Sequence, residues 1–360
     1  MRSVYRIGVM EGDGIGPEIV AAALNIIAAA ERRSGAALLD PVPLPMGLQA
    51  IREYGDPLPQ LTKETLLDCC GWIMGPHDSV SYPAEHRAGR NPSGELRHAF
   101  DLFANIRPNR TMSGIASVAK SADLVIYREN TEGFYADRNM ASGTGEWQVT
   151  PDLVITSGVF TRRAAERIAH AAFRAARLRR KRVSIVHKAN VIKLGYGLFL
   201  GVCREVAAQY PDVEVDDYHI DAACARLVRR AADFDVILTT NMFGDILSDL
   251  AAELVGSLGI AGALNAGDNY AMAQAAHGSA PDIAGRDIAN PIGMLISSAM
   301  LLDWLAARHD DRRLSRVASR ILRGVETAVA AGVRTADLNG TASTRGFAEA
   351  VIAFIGEQER

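Results

Sequence analysis

The chain has 360 residues, 48% of them apolar and 22% charged, with a formal charge of −3. That balance suits a soluble globular enzyme, the length suggests two lobes or one elaborated domain, and the charge argues against a general role on nucleic acid or a membrane surface. Its four cysteines (Cys69, Cys70, Cys203 and Cys224) show neither a zinc spacing nor a disulfide framework, and no signal peptide or membrane-length apolar run is found, so a reducing cytoplasm is the expected compartment.

Tyr5–Met10 reads as a first strand, followed by the turn Gly12-Asp13-Gly14-Ile15-Gly16-Pro17 and a helix that Pro17 begins. Strand, glycine-rich turn and helix in succession predict a parallel α/β sheet. The glycines do not have the G-x-G-x-x-G spacing, so no Rossmann domain is inferred from them. Further strands are predicted at Gly71–Met74 and Asp123–Tyr127, and amphipathic helices at 161–178 and 315–331. Between Tyr135 and Thr156 the pattern fits a short β excursion, either a subunit-pairing arm or an ordinary surface hairpin. The one basic cluster, Arg174 to Arg182, sits where a helix gives way to the strand Val183–Val186, and the helix C-terminus accounts for it.

The most informative segment follows the buried-strand pattern Asp235–Thr239. Asn241-Met242-Phe243-Gly244-Asp245-Ile246-Leu247-Ser248-Asp249 opens a helix that puts Asp245 and Asp249 four residues apart on one face. Two hard oxygen donors so placed suit Mg²⁺ or Mn²⁺; a helix cap and a solvated aspartate are the plain alternative. Arg97, Arg107 and Arg128 each sit in apolar or tight surroundings. Singly they would pair with neighbouring carboxylates, and together they resemble a clamp for a polycarboxylate. Lys188 follows the strand Val183–Val186, at the strand end where open α/β sheets bind ligands.

Taken in order, these segments resemble the β-decarboxylating dehydrogenases, the family of isocitrate, 3-isopropylmalate, homoisocitrate and tartrate/D-malate dehydrogenases. The anchors are Gly12–Glu18, Leu96-Arg97, Asn105-Ile106-Arg107-Pro108, Arg128-Glu129-Asn130-Thr131-Glu132-Gly133, His187-Lys188-Ala189-Asn190, Asp221, the Asp245/Asp249 motif and His277–Gly285. The resemblance implies a two-lobed, three-layer α/β/α fold that is not a Rossmann fold. Residues 1–101 with 253–360 would form the large lobe, and 102–252 the small lobe, whose arm at about 135–156 serves dimerisation.

By the same resemblance Arg97, Arg107 and Arg128 hold the malate carboxylates, with Asn190 also on the substrate. Asp221, Asp245 and Asp249 hold Mg²⁺ or Mn²⁺, and Lys188 and Asp221 cross the interface of a homodimer with shared sites. Lys188 is the base for hydroxyl oxidation, and Tyr135 reprotonates the carbon that loses CO₂. Glu132 lies near the nicotinamide. His277, Gly278, Ser279, Ala280, Pro281, Asp282 and Ile283 cradle the adenosine end, and Asn290 contacts adenine. Asp282-Ile283 favours NAD, because an aspartate there accepts from both ribose hydroxyls and repels a 2′-phosphate.

Relatives acting on isopropylmalate carry leucines just before the first arginine, where this chain has Asn91-Pro92-Ser93-Gly94-Glu95-Leu96. Asn91 and Ser93 predict a polar pocket and an isocitrate- or homoisocitrate-like substrate. The runners-up are isopropylmalate, then tartrate or D-malate. A regulatory subunit is the non-enzymatic alternative, against which the retained Lys188, Tyr135 and three aspartates speak.

Overall fold

A computed structural model describes residues 4–87, 90–135 and 145–357. Ten strands form one sheet in the order β2-β1-β3-β12-β11-β4-β5-β10-β8-β9. They are β1 (Tyr5–Met10), β2 (Leu39–Pro43), β3 (Gly71–Met74), β4 (Ala104–Arg110), β5 (Asp123–Glu129), β8 (Arg182–His187), β9 (Glu214–His219), β10 (Val236–Thr239), β11 (Leu264–Ala266) and β12 (Ala271–Ala273). The missing numbers, β6 (Glu146–Thr150) and β7 (Leu153–Thr156), form a separate two-stranded hairpin.

Each flank of the sheet is parallel, as the strand–turn–helix pattern predicts, whereas the three central pairings β12–β11, β11–β4 and β4–β5 are antiparallel. The purely parallel expectation therefore fails at the centre. Strands β11 and β12 have three residues each, too short to leave a periodic signature. β4 carries Pro108 and two arginines, which disguise it as a loop. The five strands from β2 to β11 in sheet order come from residues 1–101 and 253–360, and the other five from 102–252.

Helices cover the faces because their apolar stripes have nowhere else to go. Gly16–Arg33, Ile292–His309, Arg312–Ala330 and Thr344–Glu357 pack together over one half, burying Ile19, Ile26, Leu305, Val317 and Phe347. Over the other half Arg162–Arg177 packs on β5, β8 and β10 through Ile168, Ala172 and Phe173. Its N-cap is Thr161, whose hydroxyl accepts from the Ala164 amide at 3.2 Å. The basic cluster behind this helix is neutralised mainly by carboxylates: Arg177 by Asp212, Arg179 by Asp123 and Asp235, and Arg182 by Asp216.

Every residue of β6 and β7 is exposed, including Trp147, Val149, Leu153, Val154 and Ile155. A lone hairpin that shows this much apolar surface is marginal in water by itself. The remainder of the arm segment, 136–144, lies outside the described residues. Among the described residues no helix is long and apolar enough to cross a membrane.

Candidate active site

The antiparallel centre positions the site. Its register sets Asn265 of β11 opposite Asn105 of β4, and Asn105 opposite Arg128 of β5. Residues paired across strands share a face, and Arg107, two positions from Asn105, joins them. The result is a buried polar row. Asn265 Oδ1 accepts from the amides of Asn105 (2.8 Å) and Asn130 (3.0 Å), and Asn105 Oδ1 accepts from Arg107 Nε (2.9 Å).

The helix Asn241–Val255 lies across this row. Gly244 makes the approach possible: a Cβ there would come within 2.6 Å of the Arg128 side chain. Asn241 Oδ1 accepts from Arg128 Nε and Nη2 at 2.9 and 2.7 Å, and Arg128 Nη1 donates to Asp245 Oδ1. Arg107 donates to Ser248 Oγ at 2.5 Å and reaches Asp245 and Asp249, both at 3.4 Å. Tyr135 OH donates to Asp245 Oδ2 at 3.3 Å. The N-cap of the helix is Thr240, so the capping alternative for Asp245 falls away.

Both arginine side chains are almost completely buried, 7% exposed for Arg107 and 3% for Arg128. Desolvation opposes the Asp245 carboxylate, but Arg128, Arg107 and Arg97 outweigh it and hold its pKa below the ordinary value. Desolvation dominates at Asp249 and, with repulsion from Asp245, raises its pKa despite Arg107. Asp245 and Asp249, four residues apart on one helix, offer a pair of hard carboxylate oxygens, and that donor chemistry fits Mg²⁺ or Mn²⁺. Among the described residues no three His, Cys, Asp or Glu side chains are grouped to hold a metal. Asp221 stands apart, its carboxylate bonded to Lys188 Nζ at 2.5 Å.

Arg97 comes from the helix Pro92–Ala99. Asn91 caps that helix, its Oδ1 accepting from the Gly94 amide at 2.7 Å, and Pro92 occupies the first turn without disturbing it. Ser93 Oγ and Arg97 Nη2 both donate to Gln274 Oε1, at 2.9 and 3.3 Å.

One cavity of about 320 Å³ joins these groups. Asn91, Ser93, Arg97, Arg107, Arg128, Tyr135, Asp245, His277 and Gly278 all line it. Asp249 stands at 3.4 Å from Arg107 without lining it, and Lys188, Asn190 and Asp221 are absent from its wall. Five lining or supporting residues have no place in the sequence-derived site: His77, Asn105, Asn241, Asn265 and Gln274. Asn105 and Asn241 stood inside the quoted motifs, and period-two pairing with Arg107 is a signal that could have found Asn105. Burial and the Arg97 charge drop the His77 pKa to about 4, so it is a neutral imidazole at pH 7.

The expected cofactor segments lie beside this cavity. Gly14, with φ +59°, packs its bare Cα against the Ser279 carbonyl, which accepts from the Ile15 amide at 2.8 Å. Gly278 is exposed with open space where a Cβ would stand, and His277 Nε2 is buried without a partner among the described residues. An open backbone and an orphaned ring nitrogen fit a loop that receives a polar cofactor. Pro281 and Asp282 are exposed, with Ala280 and Ile283 half-buried. Asn290 is already engaged, donating to Asp337 at 2.9 Å and accepting from the Ile292 amide at 3.0 Å. Glu132 lines a different cavity, with its carboxylate accepting from the amide and hydroxyl of Thr161, both at 2.8 Å. Burial, reinforced by Glu129, pushes its pKa up to about 7.

The family described as isocitrate/isopropylmalate dehydrogenase matches residues 6–351. Isocitrate/homoisocitrate dehydrogenase of Thermus thermophilus is 40% identical over 351 residues, 97% of this chain and 98% of the relative. 3-Isopropylmalate dehydrogenase of Archaeoglobus fulgidus is 39% identical over 351 residues, 97% and 99% of the two chains. The crystal structure of isocitrate dehydrogenase from Methylococcus capsulatus aligns at a TM-score of 0.87 and 38% identity, covering 98% of this chain and 99% of that one. Fold and relatives define a decarboxylating dehydrogenase with an α/β architecture. The chain belongs to the isocitrate/isopropylmalate dehydrogenase family. Relatives named for polar and for alkyl substrates are nearly equally similar, so identity does not choose between them.

Proposed function

We propose that the protein oxidatively decarboxylates a 3-substituted (2R)-malate to a 2-keto acid and CO₂, with NAD and Mg²⁺ or Mn²⁺, and that the substituent is polar, as in isocitrate or homoisocitrate. One observation carries the choice of substituent. The only apolar residues on the described cavity wall besides Tyr135 are Pro76, Ala263, Ala275 and Ala276; the other lining positions are polar, charged or glycine. An isopropyl group would find no Val, Leu, Ile or Met side chain on that wall, and polar groups around it would lose solvent without compensation.

In this reading Arg97, Arg107 and Arg128 hold the substrate carboxylates through charge-assisted hydrogen bonds, in a geometry already fixed by Asn105 and Asn241. Asp245 and Asp249 would hold the cation, with Asp221 arriving from a second chain. When bound, the cation supplies Lewis acidity to the oxygens of the reacting carbons. Lys188 takes the hydroxyl proton, directly or through water, and Tyr135 returns a proton to the carbon that has lost CO₂. Asp282 accepts from the ribose hydroxyls of NAD. The exposed hairpin and the absence of Lys188 and Asp221 from the cavity wall support a homodimer that completes each site with residues from both chains. The lobes at 1–101 with 253–360 and at 102–252 would close over the substrate and exclude water.

The test is NADH formation with Mn²⁺ or Mg²⁺ on isocitrate, homoisocitrate, 3-isopropylmalate, D-malate and tartrate, repeated with NADP. A preference for a tricarboxylate with NAD is expected. A preference for isopropylmalate would overturn the polar-pocket reading and leave the reaction class standing.

A further inference from the structure

We infer that Gln274 is the residue that selects the substrate's substituent, its side-chain amide donating to an oxygen of a carboxylate carried on the malate core. The inference rests on the polar-substrate reading above and assigns it to one group.

The argument starts from the direction of the amide. Arginine can only donate, so the Gln274 atom 3.3 Å from Arg97 Nη2 has to be oxygen, and the hydroxyl of Ser93 donates to that same oxygen at 2.9 Å. With Oε1 fixed by two donors, Nε2 points elsewhere. Nε2 donates to no acceptor among the described residues, and the side chain lines the 320 Å³ cavity. Two N–H donors therefore face the space where a ligand would lie.

The backbone supports this aim. Gln274 directly follows β12, and its own amide bonds to the Ala263 carbonyl at 3.1 Å, so the residue is held at both ends. Ala263, Ala275 and Ala276 beside it are small and leave room for a substituent. Gln274 is 8% exposed, so a ligand oxygen that fails to meet its donors would leave them dry. Ser93 accordingly acts through Gln274: its hydroxyl orients the amide, making it a positioning residue. A site built this way rewards an oxygen acceptor and penalises an alkyl group of equal size.

The test compares wild type with Gln274→Glu and Gln274→Met. The glutamate keeps the acceptor toward Ser93 and Arg97 but replaces the two donors with a second acceptor oxygen. The methionine keeps length and removes both functions. The reading is the ratio of kcat/KM for the preferred tricarboxylate to that for D-malate, which lacks the substituent. The inference expects this ratio to fall at least about tenfold in both variants, the loss typical of an unmade hydrogen bond to a charged group. It also expects 3-isopropylmalate to gain on the tricarboxylate in Gln274→Met. Equal losses on tricarboxylate and D-malate would overturn the inference while the wild-type panel still upheld a polar substrate. A wild-type preference for isopropylmalate would overturn both. Thermal unfolding of each variant identifies a folding defect, and the better-folded variant then decides.

Discussion

The arginine cavity and the Lys188 corner contain the same kinds of residue in opposite states. In the cavity, Arg107 and Arg128 are buried, and their donors are assigned to Asn105, Asn241, Ser248 and Asp245. At the other corner Lys188 and Asp221 pair with each other, with the Asp221 side chain 69% exposed and exposed Asn190 close in sequence. The first arrangement is preorganised by one chain's sheet register. The second has residues of the right chemistry that stand outside the wall of the arginine cavity. On the proposed reading, one chain thus supplies the binding half of a site and, at a separate corner, the catalytic half of its partner's site.

The largest effect should come from the preorganised half. Arg128→Met removes the charge that faces both Asp245 and the substrate, and kcat/KM should fall by at least about a thousandfold; a loss under tenfold would show that Arg128 is merely structural. Trp147→Glu puts charge on the exposed hairpin, and sedimentation should show monomers with activity reduced at least about tenfold. An active monomer would break the contrast between the two halves.

Smaller effects test the packing. Asn241 is fully buried and accepts two N–H bonds from Arg128, so Asn241→Leu should cost roughly 2–3 kcal/mol in chemical unfolding. Glu132 gives a pH signature. Its folded pKa is about 7, above the ordinary value of 4.5, so the folded state binds its proton more tightly than the unfolded state does. Its contribution to stability is full below pH about 4.5 and is lost as pH rises towards 7, roughly 3 kcal/mol in all. Glu132→Gln should flatten the fall in unfolding temperature across that window, and an unchanged slope would exclude Glu132 as its source. The smallest change is expected at Asp282→Lys, which should raise kcat/KM for NADP relative to NAD by about tenfold.

Much of this was legible in the sequence. Buried runs gave β1, β3, β5, β8 and β10 to within a residue or two, because parallel strands covered on both faces read as continuous apolar segments. The motif residues Arg97, Arg107, Arg128, Tyr135 and Asp245 line one cavity. What stayed hidden was the centre of the sheet. Asn265 and Gln274 sit on or beside three-residue strands, and only pairing across the sheet brings them to the arginines. Register between residues 160 positions apart, as for Asn105 and Asn265, has no local signature. Glu132 belongs to the Arg128–Gly133 motif and lines a neighbouring cavity, its carboxylate accepting from Thr161.

The shared site is tested most directly by complementation. Lys188→Met and Asp245→Asn, each expected to be inactive alone, would be co-expressed with different affinity tags and their heterodimer isolated. One of its two sites then carries both substitutions and the other neither, so the heterodimer should regain about half of wild-type activity. A heterodimer no more active than its parents would contradict the account, placing Lys188 and Asp245 in the same chain's site.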